Sequence, residues 1–237
     1  MLKELIDKFY SDKNTDREQT HFYITDAGKC PRSIFFKFKK APRKEMDARI
    51  LRIFEQGESM HQLIMKALFG IRDIHVVASE VNMPPQEIIS GRADAIISMN
   101  NELYVVDFKS MNSMVFRALT APKEENIYQL QLYLHFFKIK KGILLYIDKD
   151  KQELKEFIIE YDPQLCRRLL KQFKELEEKI NKDIVPAALA DYPSNWQCSY
   201  CQFRSICDKA GENELDWKAF KEKITAAEKT EEEPLSP

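Results

Sequence analysis

Two β-rich runs joined by the dipeptide Asn100–Asn101 limit the possible folds of this chain more than any other feature. The runs cover residues 92–98 and 103–109. Because asparagine accepts the positive φ that a tight turn requires, the pattern predicts a β-hairpin. Asp94 and Asp107 then lie on adjacent strands, both toward the ends that are far from the turn.

The segments around this hairpin alternate between helical and strand patterns. Apolar residues recur at helical spacing over 46–69, 123–139 and 162–182. Runs rich in β-forming residues cover 74–83, 142–149 and 154–161. Gly57 interrupts the first helical pattern, whereas Asp162 followed by proline is a strong start signal for the third. The order predicts an α/β fold with helices flanking a mixed central sheet.

Charge and hydropathy exclude several classes of protein. The net charge of −1 creates no overall field that attracts nucleic acid, so such a function requires a local basic patch. The charged N-terminal segment lacks the apolar core of a signal peptide, and the apolar runs are too short to cross a bilayer. We therefore expect a soluble, cytoplasmic protein with no membrane association. In that compartment its five cysteines are thiols or metal ligands rather than disulfides.

The hairpin brings together residue types that suit metal chemistry. Asp94 and Asp107 can share a divalent cation, because hard cations bind carboxylate oxygens. Lys109 follows Asp107 by two residues and so points to the same face, where it can hold or deprotonate a water molecule. An Asp-x-Lys triplet also occurs by chance as a solvated pair. The Gly-x-x-Asp strand and the short turn before this triplet favour a functional site.

Two helical segments carry further candidates. His61 lies among apolar neighbours in the first helix, where it is either a packed boundary residue or an imidazole ligand for manganese or zinc. Gln129 and Tyr133 are four residues apart and share a helical face. They are either ordinary residues of an amphipathic helix or hydrogen-bonding groups that hold a phosphate or Lys109.

The cysteines form one cluster and two isolated positions. Cys198, Cys201 and Cys207 give the spacing C-x2-C-x5-C, and Cys30 lies far upstream. Cys166 falls inside the third helix and is predicted to be a small buried apolar residue. Zinc sites usually pair two C-x2-C knuckles. Three clustered cysteines with one distant partner fit a four-thiolate iron–sulfur cluster better.

Taken in order, these motifs resemble the RecB-like branch of the PD-(D/E)XK nuclease superfamily. The resemblance rests on His61, on GRAD with Asp94, on DFK with Asp107 and Lys109, and on QLQLY with Gln129 and Tyr133. The CPR at 30–32 and the later C-x2-C-x5-C are similar to its iron–sulfur members, namely CRISPR-associated RecB-like exonucleases and the nuclease domain of AddB-type helicase–nucleases. Two features depart from the pattern. Asp107 stands where many relatives carry glutamate, and the chain has no G-x-x-x-x-G-K-[ST] helicase motif.

The resemblance implies a restriction-endonuclease-like core with a C-terminal iron–sulfur subdomain. The implied organisation is an N-terminal segment with the first cluster cysteine (1–45), a nuclease core (46–183), a cysteine segment (184–212), and a C-terminal helix with a disordered tail (213–237). The tail sequence KTEEEPLSP is acidic and contains proline, as disordered segments do.

The resemblance also implies roles for individual residues. His61, Asp94, Asp107 and the Phe108 carbonyl would hold Mg²⁺ or Mn²⁺, Lys109 would activate the nucleophile, and Gln129 and Tyr133 would position the DNA backbone. Cys30, Cys198, Cys201 and Cys207 would hold a [4Fe-4S] cluster. Glu80, on the preceding strand, is either an additional acid of the site or a structural residue.

A basic run near Cys30 could extend the DNA path. Its cations are Lys37, Lys39, Lys40, Arg43 and Lys44. Taken alone, such a run is more often a solvated face than a phosphate track. Its aromatic residues Phe35, Phe36 and Phe38 could stack on bases of a single strand, although the core is the expected place for at least two of them.

The function that the resemblance implies is metal-dependent hydrolysis of DNA, by an exonuclease that prefers single strands or DNA ends. Such an enzyme acts in DNA repair, recombination or CRISPR adaptation, where its partners would be adaptation or recombination proteins. The alternative is a non-catalytic DNA-binding or adaptor subunit of a larger nuclease complex. Asp94, Asp107 and Lys109 together argue for the enzyme, since a subunit without activity has no need of all three.

Overall fold

The computed structural model describes residues 1–13 and 19–231 of the chain, with only the backbone described for 226–231. The helices are α1 (Leu2–Ser11), α2 (Pro31–Phe38), α3 (Ala48–Gly70), α4 (Ser113–Ala118), α5 (Glu124–Phe137), α6 (Pro163–Asn181), α7 (Trp196–Ser199), α8 (Arg204–Ala210) and α9 (Trp217–Glu231). The strands are β1 (Phe22–Tyr23), β2 (Ile74–Asn82), β3 (Ile89–Ser90), β4 (Arg92–Met99), β5 (Glu102–Met111), β6 (Lys141–Asp148), β7 (Leu154–Glu160), β8 (Ile184–Val185) and β9 (Leu215–Asp216).

The chain divides into two compact units. The first contains His21–Gly28 and Asp47–Leu170 together with α1. The second contains Lys29–Met46 and the chain from Lys171 onward. Each unit holds one of the two residue groups that the sequence singled out, so the units are described separately.

A five-stranded mixed sheet forms the centre of the first unit. Its strand order is β2-β4-β5-β6-β7. The β5–β6 pair is parallel and the other three pairs are antiparallel. The connection from β5 to β6 carries α4 and α5, as a parallel crossover requires. This mixed sheet with flanking helices confirms the predicted α/β fold.

The predicted hairpin is formed by β4 and β5. Asn100 and Asn101 have φ angles of 52° and 61°, which are the positive values of a two-residue hairpin turn. The register runs from Met99 opposite Glu102 to Ala95 opposite Val106. One further step along both strands brings Asp94 beside Asp107, as the sequence predicted.

Helix α3 covers one face of the sheet. Met60, Ile64 and Leu68 pack against a buried cluster that includes Val106 and Phe108. The helix runs unbroken through Gly57, although the sequence pattern weakens there. A Cβ atom at position 57 would lie 3.1 Å from Ser110 Oγ on β5, so the glycine lets helix and strand approach closely.

Helix α5 packs against the opposite face. Leu130, Leu132 and Leu134 are fully buried. A Cβ atom on Gly142 would lie 2.8 Å from the methyl carbons of Leu130, so β6 accepts the helix only because it has no side chain there. Both faces of the central strands are therefore covered, which explains their nearly continuous apolar sequence.

The second unit has its own aromatic core. Phe35 and Phe36 of α2 are fully buried, and both rings contact Trp217 at centroid distances of 5.9 and 6.0 Å. Strands β8 and β9 of the same unit form an antiparallel pair. Two of the three aromatic residues considered for base stacking are thus core residues, which was the expected alternative.

Several features were not foreseen or differ from expectation. The sequence patterns do not predict α1 or α2. Helix α9 extends to Glu231, so the first three residues of the predicted disordered tail are helical. The remainder of that tail, 232–237, lies outside the described residues. Over the described part of the chain, no helix combines the length and apolar character needed to cross a membrane.

Candidate active site

Several elements of the first unit line a cavity of about 1160 Å³. Helix α3 forms one wall, the ends of β4 and β5 form the floor, and α5 adds side chains from behind. The six side chains that the sequence selected all line this cavity: His61, Asp94, Asp107, Lys109, Gln129 and Tyr133. Fold and register therefore bring together residues that are as many as 72 positions apart, from 61 to 133.

Asp94 connects the two strands of the hairpin to α3. Its Oδ2 accepts a hydrogen bond of 2.7 Å from the backbone N–H of Phe108. Its Oδ1 lies 3.5 Å from Nδ1 of His61. The His61 ring also packs edge-on against the Phe108 ring, with centroids 5.5 Å apart. The imidazole is therefore held beside the carboxylate by its packing on Phe108.

Asp107 is the most deeply buried acid of the site, with 2% of its surface exposed. Burial raises its pKa to about 6; the Lys109 charge opposes that shift, and the Asp94 charge adds to it. Oδ1 accepts a hydrogen bond of 3.1 Å from Nε2 of Gln129. Oδ2 lies 2.6 Å from Nζ of Lys109, but the angles do not suit a hydrogen bond, so this oxygen has a charge partner without a directed bond.

Gln129 connects the acid to the lysine. Its Oε1 accepts a hydrogen bond of 2.9 Å from Nζ of Lys109, while its Nε2 donates to Asp107. Because a lysine can only donate, these contacts fix the orientation of the amide. Of the two roles left open for Gln129, the geometry matches the one in which it holds Lys109.

Tyr133 lies one helical turn further along α5 and is fully buried. Its hydroxyl donates a hydrogen bond of 2.7 Å to the backbone carbonyl of Arg92 on β4. Burial, with a smaller contribution from the Asp107 charge, raises the pKa of this phenol. Tyr133 therefore stays protonated and anchors the strand that carries Asp94.

The donor set suits a hard divalent cation. Two carboxylates and an imidazole are ligands that Mg²⁺ and Mn²⁺ accept, whereas Phe108 does not line the cavity. Asp107 Oδ2, buried without a hydrogen bond, is an acceptor that such an ion would satisfy. Among the side chains that the structure describes, no three His, Cys, Asp or Glu residues already converge into a metal-binding group. In this arrangement Lys109 occupies the position beside Asp107 that a cation would take.

The second unit contains a smaller cavity, of about 260 Å³, lined by Cys30, Cys198, Cys201 and Cys207. Burial raises the pKa values of Cys30, Cys198 and Cys201, and the charge of neighbouring cysteines raises them further. The four side chains share one cavity, and cysteine thiolates are the ligands that an iron–sulfur group uses. Among the described side chains they do not already converge into a metal-binding group.

Cys166 is separate from this cavity. It is fully buried in α6, and its Sγ lies 3.2 Å from the backbone carbonyl of Gln131, to which it donates. Burial raises its pKa to about 11. It packs as a small apolar residue, as the helical pattern around it predicted.

Sequence reasoning missed other residues of the large cavity. Phe54 and Phe69 are largely exposed on α3 and line its rim. Arg92 and Lys149 contribute positive charge. Arg92 could have been found, because it precedes Asp94 by two residues and so shares its strand face. Lys149 lies just after β6, and only the tertiary fold brings it to the cavity.

Comparisons with known proteins identify relatives of this arrangement. The CRISPR-associated exonuclease Cas4 of Saccharolobus solfataricus is 29% identical over 198 residues, which cover 81% of this chain and 89% of that protein. The crystal structure of SSO0001 matches with a TM-score of 0.57 and 25% identity over 87% of this chain and 96% of that one. The alkaline exonuclease LHK-Exo from Laribacter hongkongensis has the same fold at a TM-score of 0.51 and 12% identity, over 73% of this chain and 94% of that one.

A family model gives the broadest assignment. The model of the PD-(D/E)XK nuclease superfamily matches residues 37–208, which include the hairpin, α3 and α5. The fold, the Cas4 relative and this match agree with one another. The chain belongs to the PD-(D/E)XK nuclease superfamily.

Proposed function

We propose that this nuclease is a metal-dependent DNA exonuclease that prefers single strands and carries a structural [4Fe-4S] cluster. The single observation that carries the proposal is the buried group of Asp107, Lys109 and Gln129 beside Asp94 and His61. Burying an acid beside a partly buried lysine costs free energy, and a purely structural core would use apolar residues there. The arrangement supports metal-dependent hydrolysis of a phosphodiester.

Each residue has a definable task in that reaction. His61, Asp94, Asp107 and the Phe108 carbonyl would hold Mg²⁺ or Mn²⁺, which would supply a Lewis acid and lower the pKa of water at the site. Gln129 keeps the Lys109 ammonium within the site, where it can orient the attacking water. Tyr133 acts indirectly, because its hydrogen bond to Arg92 fixes the strand that presents Asp94.

Exposed aromatic rings at the cavity support a preference for single strands. Phe54 and Phe69 lie on the same wall, seven residues before and eight residues after His61 on α3. At about 1.5 Å per residue they are roughly 10 Å and 12 Å from it along the helix axis. Unpaired bases stack on such rings, whereas the bases of a duplex are already stacked on each other.

The [4Fe-4S] cluster is proposed for the four cysteines of the smaller cavity. Support comes from their shared cavity and from the one-plus-three spacing. The Cas4 relative is named for a CRISPR association. We accordingly propose a role in CRISPR adaptation, with DNA repair and recombination as the related alternatives, and partners among the proteins of those processes.

The alternative is a non-catalytic DNA-binding or adaptor subunit. It would retain the fold and the cysteine cavity, but it would not need a lysine held against a buried acid. Activity of the isolated chain separates the two possibilities.

The test is a cleavage assay with purified protein, Mn²⁺ and end-labelled DNA. We expect linear single strands to be degraded from an end, duplex DNA of the same sequence to be degraded more slowly, and circular single strands to persist. Addition of EDTA should stop the reaction. Cleavage of the circle would contradict the exonuclease assignment, and inactivity on every substrate would favour the adaptor.

A further inference from the structure

Arg92 has no task in the chemistry described above, yet its side chain lines the same cavity. It precedes Asp94 by two residues on β4, so the two side chains share the cavity face of the strand. Their Cα atoms are roughly 7 Å apart along the strand. The side chain is 57% exposed, so a ligand in the cavity can reach it.

The Arg92 guanidinium is oriented by one ion pair, which uses only part of its donor groups. Nη2 lies 2.6 Å from Oε2 of Glu80 on the neighbouring strand β2, and Tyr133 holds the Arg92 carbonyl. Among the described residues, Nε and Nη1 of Arg92 have no hydrogen-bond partner. One edge of the guanidinium thus remains available, and such an edge matches the oxygens of a phosphate.

Glu80 is held in an unusual backbone conformation. Its φ is 49°, a left-handed value in the interior of a strand, between the pairs Ser79–Ala95 and Val81–Ala93. Those pairs place it opposite Asp94. A non-glycine residue in this conformation is strained, and an ion pair between two half-exposed side chains returns little stability. The gain from the Glu80–Arg92 pair is therefore too small to account for the strain, and a role in function explains it better.

We propose that Arg92 is a phosphate-binding residue, with Glu80 and Tyr133 as its positioning residues. Its guanidinium contacts the DNA phosphate next to the one that is hydrolysed, and so sets the register of the strand in the cavity. This inference rests on the proposed DNA nuclease function. A phosphate contact carries no sequence information, so it strengthens binding equally for all sequences.

The test measures the affinity of a fluorescein-labelled oligothymidylate by anisotropy, in EDTA, over a series of KCl concentrations. Arg92→Ala should weaken binding about tenfold at low salt and reduce the slope of log K against log salt by about 0.7, the value for one phosphate of a single strand. The matched control is Lys141→Ala, which removes another ion-paired cation of the sheet, bound to Glu102 and outside the cavity lining. The control should keep the wild-type affinity and slope.

A second variant separates contact from folding. Arg92→Lys keeps the charge but loses the planar edge, so it should bind a few-fold more weakly with an unchanged salt slope. Circular dichroism and thermal melting of every variant establish that the fold is kept. If Arg92→Ala fails to fold, the DNA affinity and salt slope of Arg92→Lys test the inference instead. Wild-type affinity in that variant overturns it.

The role of Glu80 is tested by a double-mutant cycle. Glu80→Gln should weaken binding less than Arg92→Ala, and it should have no further effect in the Arg92→Ala background, because it acts through Arg92. Additive losses would overturn its positioning role. If the wild-type protein cleaves DNA but Arg92→Ala keeps the full salt slope of binding, only the inference about Arg92 is overturned. A wild-type protein that neither binds nor cleaves DNA overturns the proposed function itself.

Discussion

The acid–lysine site of the first unit and the cysteine cavity of the second differ in how much of their geometry exists without a ligand. Asp94, Asp107, Lys109 and Gln129 are linked by hydrogen bonds and charge contacts that the hairpin register and α5 impose. Burial, and to a smaller extent the charge of neighbouring cysteines, raises the pKa values of Cys30 and Cys201. The sheet and its helices preorganise the first site, whereas the described cysteines share a cavity without converging into a metal-binding group.

This difference predicts that damage to the two sites has different consequences. Loss of a residue from the first should remove activity and leave the fold, because the backbone of β4 and β5 stays paired. Loss of a residue from the second should remove the cofactor and with it part of the stability, since metal-binding energy is folding energy.

The largest expected effect is on cleavage. Asp107→Ala and Lys109→Ala should each lower the rate of DNA hydrolysis by at least ~10²-fold, because they remove a metal ligand or the group that orients the nucleophile. Iron content and melting temperature should stay close to wild type. Activity near the wild-type level in either variant would contradict the assignment.

The next effect concerns the cysteines. Alanine at Cys30, Cys198, Cys201 or Cys207 should give a colourless, less stable protein, because thiolate bonds between distant parts of the chain restrict the unfolded state. Cys166→Ala is the matched control, since that thiol packs outside the cavity. Iron analysis and visible absorbance after anaerobic purification make the comparison. Retention of iron in Cys30→Ala, or its loss in Cys166→Ala, would show that the ligand set is different.

A smaller effect follows from the pKa of Asp107, which burial raises to about 6. Below that pH the carboxyl is protonated, and a proton must leave before a cation can bind. The affinity for Mn²⁺ should therefore fall about tenfold for each pH unit below 6, and level off above it. Titration of Mn²⁺ by calorimetry between pH 5 and pH 7.5 measures this, and an affinity independent of pH would contradict it.

The same shift has a consequence for the metal-free protein. An acid whose pKa is raised on folding destabilises the folded protein once it ionises. Asp107 therefore lowers the free energy of unfolding above pH 6, and it has no such effect below about pH 4, the pKa of this carboxyl in the unfolded chain. The stability gained by Asp107→Asn should accordingly increase as pH rises from 4 to 7.

The smallest expected effect is the loss of His61, one of several proposed ligands of the same ion. His61→Ala should lower activity more in Mg²⁺ than in Mn²⁺, because Mn²⁺ binds the remaining ligands more tightly and so tolerates the loss of one of them. We expect a difference of several-fold in the ratio of the two rates. An equal loss in both ions would indicate that His61 acts by packing on Phe108 instead.

The sequence predicted what depends on local pattern. The hairpin followed from Asn100–Asn101, and the shared face of Asp107 and Lys109 followed from the period of a strand. The contact between Lys109 and Gln129 could not be derived from the sequence, because it depends on how closely α5 packs against Gly142 of β6. Neither could the left-handed Glu80, since no side-chain pattern records a strained φ. Helix α2 was missed because its apolar residues serve a core made largely of distant residues such as Trp217.

Gly57 has a further consequence for how the enzyme could be redesigned. A methyl group at this position would meet Ser110 Oγ at 3.1 Å, a contact tight enough to require that helix or strand give way. Both Gly57 and Ser110 line the cavity, so a larger residue at position 57 would change the spacing of α3 and β5 along its wall. Substrate size in variants of this nuclease should therefore be adjustable by paired changes at these two positions, without altering any residue that performs chemistry.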